Sequence, residues 1–135
     1  MEAPSYLYKE EITELHDRVI GLIGGMPGIR DHAALESCVA QPKTAVFGKE
    51  RLPSVFDKAA AYCFFIIRLH PFFDGNKRTG LLAALTFLLD SGVTPTFDEN
   101  QMYETIDAVA RSEGDIADLA SLFREAGDPN HSSSV

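Results

Sequence analysis

The chain has no tryptophan, only two cysteines and fewer basic than acidic residues, and several of these shortages remove a class of protein. Cys38 and Cys63 stand apart, with neither a C-x-x-C pair nor the spacing of a zinc site. They read as reduced, buried thiols, and nothing in their spacing supports a disulfide. Lys and Arg number 12 against 20 Asp and Glu, a formal charge of −8. Direct nucleic-acid binding through phosphate neutralisation is therefore not expected, although a few local cations can still hold a nucleotide on an acidic protein. Apolar runs stop at about half the roughly 18 residues of a membrane span. No basic stretch precedes an apolar segment near Met1, so neither membrane insertion nor a secretory leader is expected. Also missing are a G-x-x-x-x-G-K-[ST] phosphate loop, a G-x-S-x-G elbow and an H-E-x-x-H zinc pair. What is present, 135 residues of which 45% are hydrophobic, suits one cytoplasmic domain with a core of its own.

Apolar residues at Ile12, Leu15, Val19, Leu22 and Ile23 predict an amphipathic helix over Lys9–Ile23, ended by Gly24-Gly25. Asp31 is a candidate N-cap for a second helix running through Leu35 and Val39 to a stop at Pro42. Residues 43–53, with Gly48 and Pro53, read as a loop or short hairpin. Ser54 and Asp57 make a near capping box for a third helix, Val55–Leu69, apolar on almost every face as the centre of a bundle would be. Pro71 disfavours the α conformation at His70, so that helix should stop there. A fourth helix is expected from Asn76 to Asp90, and two more over Asp98–Ala110 and Asp115–Ala126, both with acidic first turns. A second strand candidate is Thr94–Phe97; the Ser-rich tail 128–135 reads as disordered. The expectation is all-α: a single-domain bundle of about six helices over residues 1–127.

The densest chemistry lies in His70-Pro71-Phe72-Phe73-Asp74-Gly75-Asn76-Lys77-Arg78-Thr79, between two apolar helices. Gly75 and Asn76 lead into a helix start whose first N–H groups have no intrahelical partners, a ready anion site. Lys77 and Arg78 sit where cations oppose the helix dipole, so an anion rather than fold stability accounts for them. Asp74 is the lone carboxylate; it would hold Mg²⁺ together with nucleotide phosphates, or simply pair with Lys77 or cap the helix, and spacing alone does not separate these. His70 is the candidate general base. Phe72 and Phe73 read as anchors packing the loop onto the core, and His16, His32 and His131 as bystanders.

That stretch resembles the signature loop of the Fic/Doc superfamily, H-x-F-x-[DE]-G-N-x-R. A chance match in a chain of this length has odds on the order of one in a million. Tyr6-Leu7, Glu10-Glu11, Gly28-Ile29-Arg30-Asp31, Leu35, Ser37, Pro42 and Lys58-Ala59-Ala60 are also similar to the death-on-curing (Doc) branch. The larger Fic branch reads G-N-G-R-x-x-R and transfers AMP; here Lys77 replaces the glycine and Leu81 stands at the second arginine.

The resemblance implies a Fic/Doc-like helical bundle and a toxin of a toxin–antitoxin system. Its activity would be that of an ATP- and Mg²⁺-dependent kinase moving the γ-phosphoryl group to a threonine of elongation factor Tu. His70 would activate the threonine, Asp74 hold Mg²⁺, and Gly75, Asn76, Lys77 and Arg78 form the phosphate cradle, with residues 43–53 as the flap that docks the target. The family's inhibitory [ST]-x-x-x-E-[GN] segment has no match, so restraint is expected from a separate antitoxin. An AMP transferase and a non-catalytic antitoxin-binding co-regulator are the alternative readings.

Overall fold

Helix α3 explains the rest of the architecture, because it has no polar face to give to solvent. In the computed structural model, which describes residues 4–127, α3 spans Val55–Leu69 and buries Ala59 through Cys63, Ile66 and Ile67. Around it lie α1 (Lys9–Ile23), α2 (His32–Ala40), α4 (Asn76–Asp90), α5 (Glu99–Ala110) and α6 (Ile116–Ala126). The hydrophobic core joins α3 to all five, with Leu35 and Cys38 from α2, Phe87 and Leu88 from α4, and Leu119 and Phe123 from α6. A single 3₁₀ turn, Gln41–Lys43, follows α2 and leads to a two-stranded antiparallel hairpin, β1 (Ala45–Val46) and β2 (Lys49–Glu50). No helix among the described residues is long and apolar enough to cross a membrane.

The six expected helices are present with boundaries within a residue or so of those read from capping and periodicity. Asp31 and Ser54 cap α2 and α3 as expected, and Asp98 and Asp115, expected as acidic first-turn residues, are the N-caps of α5 and α6; each of the four accepts a hydrogen bond from a backbone N–H of the turn it precedes. The Thr94–Phe97 strand does not form. That segment is irregular, and Thr96 N–H donates instead to the Ala126 carbonyl at the end of α6. With no neighbouring strand to pair, β-prone residues there have nothing to ladder against. The tail, including His131, lies outside the described residues.

Small residues let α3 and α4 approach closely, and this positions the site. A Cβ on Gly80 would stand 3.0 Å from the Cys63 carbonyl oxygen, and Ala59, Ala60, Ala83 and Ala84 are fully buried. The two helices are joined by only the motif loop, so the end of α3 and the start of α4 sit side by side. The N-terminal segment is drawn onto this pair as well: Leu7 N–H donates to the buried Tyr62 hydroxyl at 2.9 Å.

Candidate active site

His70 closes α3 in the left-handed conformation (φ 52°, ψ 58°), which histidine tolerates better than branched residues do. Arg30 holds it there. Its Nε donates to the His70 carbonyl (2.7 Å) and its Nη2 to the Leu69 carbonyl (2.9 Å), satisfying acceptors that the helix end leaves open. The Arg30 and Asp31 amides donate to the Pro71 carbonyl at 2.7 and 3.1 Å, and Ile29 bridges Phe72 in antiparallel fashion. The segment between α1 and α2 thus lies alongside the motif loop as an outer rail.

Asn76 is the inner brace. It is buried (4% exposed). Its Oδ1 accepts from Phe72 N–H (3.1 Å), while its Nδ2 donates to the Phe72 carbonyl (2.9 Å) and to His70 Nδ1 (3.2 Å). The amide side chain is therefore engaged with the loop itself. Its contribution to an anion would come from the backbone N–H.

A third support comes from α1. His16, buried in line with Ile12 and Val19, stacks on Phe72 with ring centroids 3.8 Å apart and planes 6° from parallel. Its Nε2 donates to the Asp74 carbonyl at 2.7 Å. Residue-by-residue reading treated His16 as a bystander; a histidine inside an otherwise apolar helical stripe was the available signal. Met26 N–H donates to Asp74 Oδ2 at 2.6 Å. At Gly25 a Cβ would lie 3.1 Å from the Asp74 Cβ, so a side chain there would press on the carboxylate. Phe72 is fully buried, as expected of an anchor, but Phe73 is 46% exposed and lines the cleft instead of the core.

The start of α4 differs from those of α2, α3, α5 and α6. Gly75, left-handed at φ 77°, is its N-cap and offers no side-chain acceptor; its first turn holds no acidic residue, as in α2, but carries Lys77 and Arg78. Thr79 N–H reaches back to the Gly75 carbonyl, so the amides of residues 76–78 remain for something outside the helix. Lys77 and Arg78 are exposed at this start, Lys77 pairing with Asp107 of α5 at 3.3 Å.

His70, Asp74, Gly75, Asn76, Lys77 and Arg78 all line one open cleft of about 450 Å³, walled by Val19, Ile23 and Ala110. A second hollow of about 320 Å³, between α5 and α6, is lined by Glu104, Glu113, Asp118 and Glu125 and is unsuited to an anion. Among the described residues no three His, Cys, Asp or Glu side chains converge on a metal position, so a cation in the cleft would share Asp74 with its ligand. The cysteines take no part: burial pushes both thiols up to about 12, leaving neither as a nucleophile.

A basic, uncapped helix start in one cleft with a histidine suits a phosphate-bearing ligand. The sequence comparisons agree with it. The family described as Fic/DOC matches residues 6–88, from just before α1 through most of α4. The chain is 37% identical over 99 residues to the Toxin Doc of Mycolicibacterium smegmatis, covering 72% of this chain and 76% of that protein. It is 32% identical over 119 residues to the Protein kinase doc of Escherichia phage P1, covering 88% of this chain and 93% of that one. On this match and these relatives, the chain belongs to the Fic/DOC family.

Proposed function

We propose that the protein is a Doc-type toxin: an ATP-dependent kinase that moves the γ-phosphoryl group of ATP to a threonine hydroxyl of elongation factor Tu, halts translation in the cytoplasm, and is restrained by a cognate antitoxin. The observation that carries this reading is the uncapped start of α4, with Lys77 and Arg78, in the same cleft as His70. The names of the two relatives, a toxin and a protein kinase, support it.

In the proposed step the threonine oxygen attacks the γ-phosphorus. An O–P bond forms, the bond from that phosphorus to the β,γ-bridging oxygen breaks, and ADP leaves with the electron pair. The hydroxyl proton passes to His70. As the ring stands, Asn76 donates to Nδ1, so the neutral ring carries its proton on Nε2. Moving that proton to Nδ1 gives up the 3.2 Å contact and opens Nε2 to the substrate hydroxyl. The amides of residues 76–78 and the Lys77 and Arg78 cations receive phosphate oxygens; phosphoryl transfer asks for little more than position and charge. Arg78 is suited to a bidentate grip and Lys77 to a mobile point contact. Mg²⁺ fits the site through Asp74, which has Oδ2 fixed by Met26 and no hydrogen bond on Oδ1 among the described residues. One carboxylate with phosphates and water is a usual Mg²⁺ environment, and the ion neutralises phosphate charge when bound.

The test is transfer of label to purified elongation factor Tu from ATP labelled in the γ or the α phosphate. Label arriving only from the γ position, and lost in Arg78→Ala and His70→Ala, is the expected result. Label from the α position would make the protein an AMP transferase instead. Label from neither would remove elongation factor Tu as the target.

A further inference from the structure

Two charges stand at the wrong ends of their own helices. Lys77 lies in the first turn of α4, where the helix dipole is positive, and Asp107 in the last turn of α5, where it is negative. Neither stabilises the helix that carries it. They meet each other instead, with Lys77 Nζ 3.3 Å from Asp107 Oδ1. Partners nearer in the chain are passed over. Arg111, one turn beyond Asp107, pairs with Glu113, and Asp74, just before the α4 start, takes the Met26 N–H. Arg78, the neighbouring cation, has no ion pair among the described residues.

The position of the pair connects it to the cleft. Between α4 and α5 lies a hollow of about 160 Å³ whose lining includes Lys77, Arg78 and Asp107. Lys77 and Arg78 also line the cleft that contains His70; Asp107 does not, although Ala110, one turn further along α5, does. Lys77 is thus shared between two hollows, with a carboxylate beside it in one and the uncapped α4 start in the other. Both partners are about half-exposed. Exposed pairs contribute little stability and are screened by water and salt, so this contact is no lock. An ammonium on a flexible four-carbon stem can exchange one anionic oxygen for another.

Resting on the phosphate reading of the cleft, we propose that Asp107 is a stand-in anion for Lys77. It engages the ammonium in the free protein and gives it up to a phosphate oxygen, so Asp107 is a positioning residue that acts on the ligand only through Lys77. In the free protein the pair offsets part of the positive charge that Lys77, Arg78 and the helix dipole place at one end of α4. Binding then exchanges one ion pair for another. The affinity contributed by Lys77 is the difference between the two pairs, whereas Arg78 surrenders no partner and contributes its attraction in full.

Calorimetric titration of the full chain with inorganic tripolyphosphate in Mg²⁺ tests this in wild type, Asp107→Asn, Lys77→Met and the double variant. Asp107→Asn is expected to tighten binding roughly threefold, the scale of one exposed ion pair released. With Lys77→Met in place the same substitution should change affinity by less than about 1.5-fold, because the coupling has lost its carrier. Asp107→Glu keeps the carboxylate and should bind as wild type does. Unchanged or weakened affinity in Asp107→Asn overturns the proposal, and so does an Asp107→Glu protein that binds as tightly as Asp107→Asn. Equal tightening with and without Lys77 also overturns it, by making Asp107 a plain repulsive charge. If neither wild type nor Asp107→Asn takes tripolyphosphate, the phosphate reading of the cleft falls, and the stand-in with it.

Discussion

The motif loop and the hairpin are both short polar connections next to α3, yet they are built in opposite ways. From Pro71 to Asn76 the loop is held on three sides: by Arg30 and its neighbours, by the buried Asn76 amide, and by the stacked His16. The hairpin has two paired residues per strand, and all of Ala45–Glu50 is exposed. At its tip Phe47 is fully exposed and left-handed at φ 51°, followed by Gly48 at φ 79°. An isolated two-stranded hairpin is marginal in water, and this one is tied at its root. Lys58, 1% exposed on α3, donates to the Leu52 carbonyl and the Glu50 carboxylate and lies 5.6 Å from the Tyr6 ring centroid. The difference teaches that the loop is fixed by buried contacts along its length, whereas the hairpin is fixed only where Lys58 ties its root.

The sharpest division should appear in rates. His70 is exposed and contributes little packing, so His70→Ala is expected to leave the melting temperature nearly unchanged. Phosphoryl transfer should fall by roughly 10²–10⁴, and a variant that kept its turnover would take His70 out of the chemistry. Asn76→Ala is next. It strands the Phe72 N–H and carbonyl, at a cost of about 1–3 kcal/mol, and should lower both the melting temperature and turnover. Faster amide exchange at Phe72 would locate the damage in the loop; unaltered exchange there would deny Asn76 its bracing role.

On the hairpin side the expected effect is smaller and of another kind. Lys58→Met keeps the buried volume but releases Glu50 and Leu52. We expect KM for the protein target to rise about fivefold, of the order of one lost hydrogen bond, with nucleotide affinity unchanged. A shift in nucleotide affinity instead would show that loop and hairpin are not independent.

The mildest perturbation reaches the shared support and emerges only in alkali. Burial pushes the Cys38 and Cys63 thiols from 9.0 to about 12 and the Tyr62 hydroxyl from 10.0 to about 12. For each group the folded state favours the protonated form. Stability is therefore full below the ordinary values and is lost as pH rises from about 9 through about 12. Thermal melts should hold steady up to pH 8.5 and decline above it, less steeply in a Cys38→Ala, Cys63→Ala double variant. A decline of identical slope in that variant would place the alkaline sensitivity elsewhere.

Much of the fold was legible because its signals are local. Each of Asp31, Ser54, Asp98 and Asp115 caps the turn next to it, Gly24-Gly25 ends α1, and the unbroken apolar character of α3 could mean little except a central helix. The site was legible as a set of residues, since His70 through Arg78 are contiguous. Its assembly was not. Arg30 and Met26 lie 39 or more positions from the groups they hold, and His16 is 58 positions from Asp74. Phe73 and Thr94–Phe97 were misread for the same reason: whether an apolar residue finds a core, or a β-prone segment a partner, depends on what lies across from it.

By itself the sequence determined which helices form, that α4 begins at Asn76 with cations where acids would serve stability better, and that His70 and Asp74 share a loop with that start. Those properties reside in backbone preference, capping and charge within a turn or two. Only the tertiary structure decided that the Asn76 side chain braces the loop from within, that a buried histidine from α1 steadies it, that Lys58 anchors the hairpin, and that His70 and the α4 start line one cleft. Hydrogen bonds and van der Waals contacts act over a few ångströms, so groups distant in the chain acquire roles only once packing has brought them together.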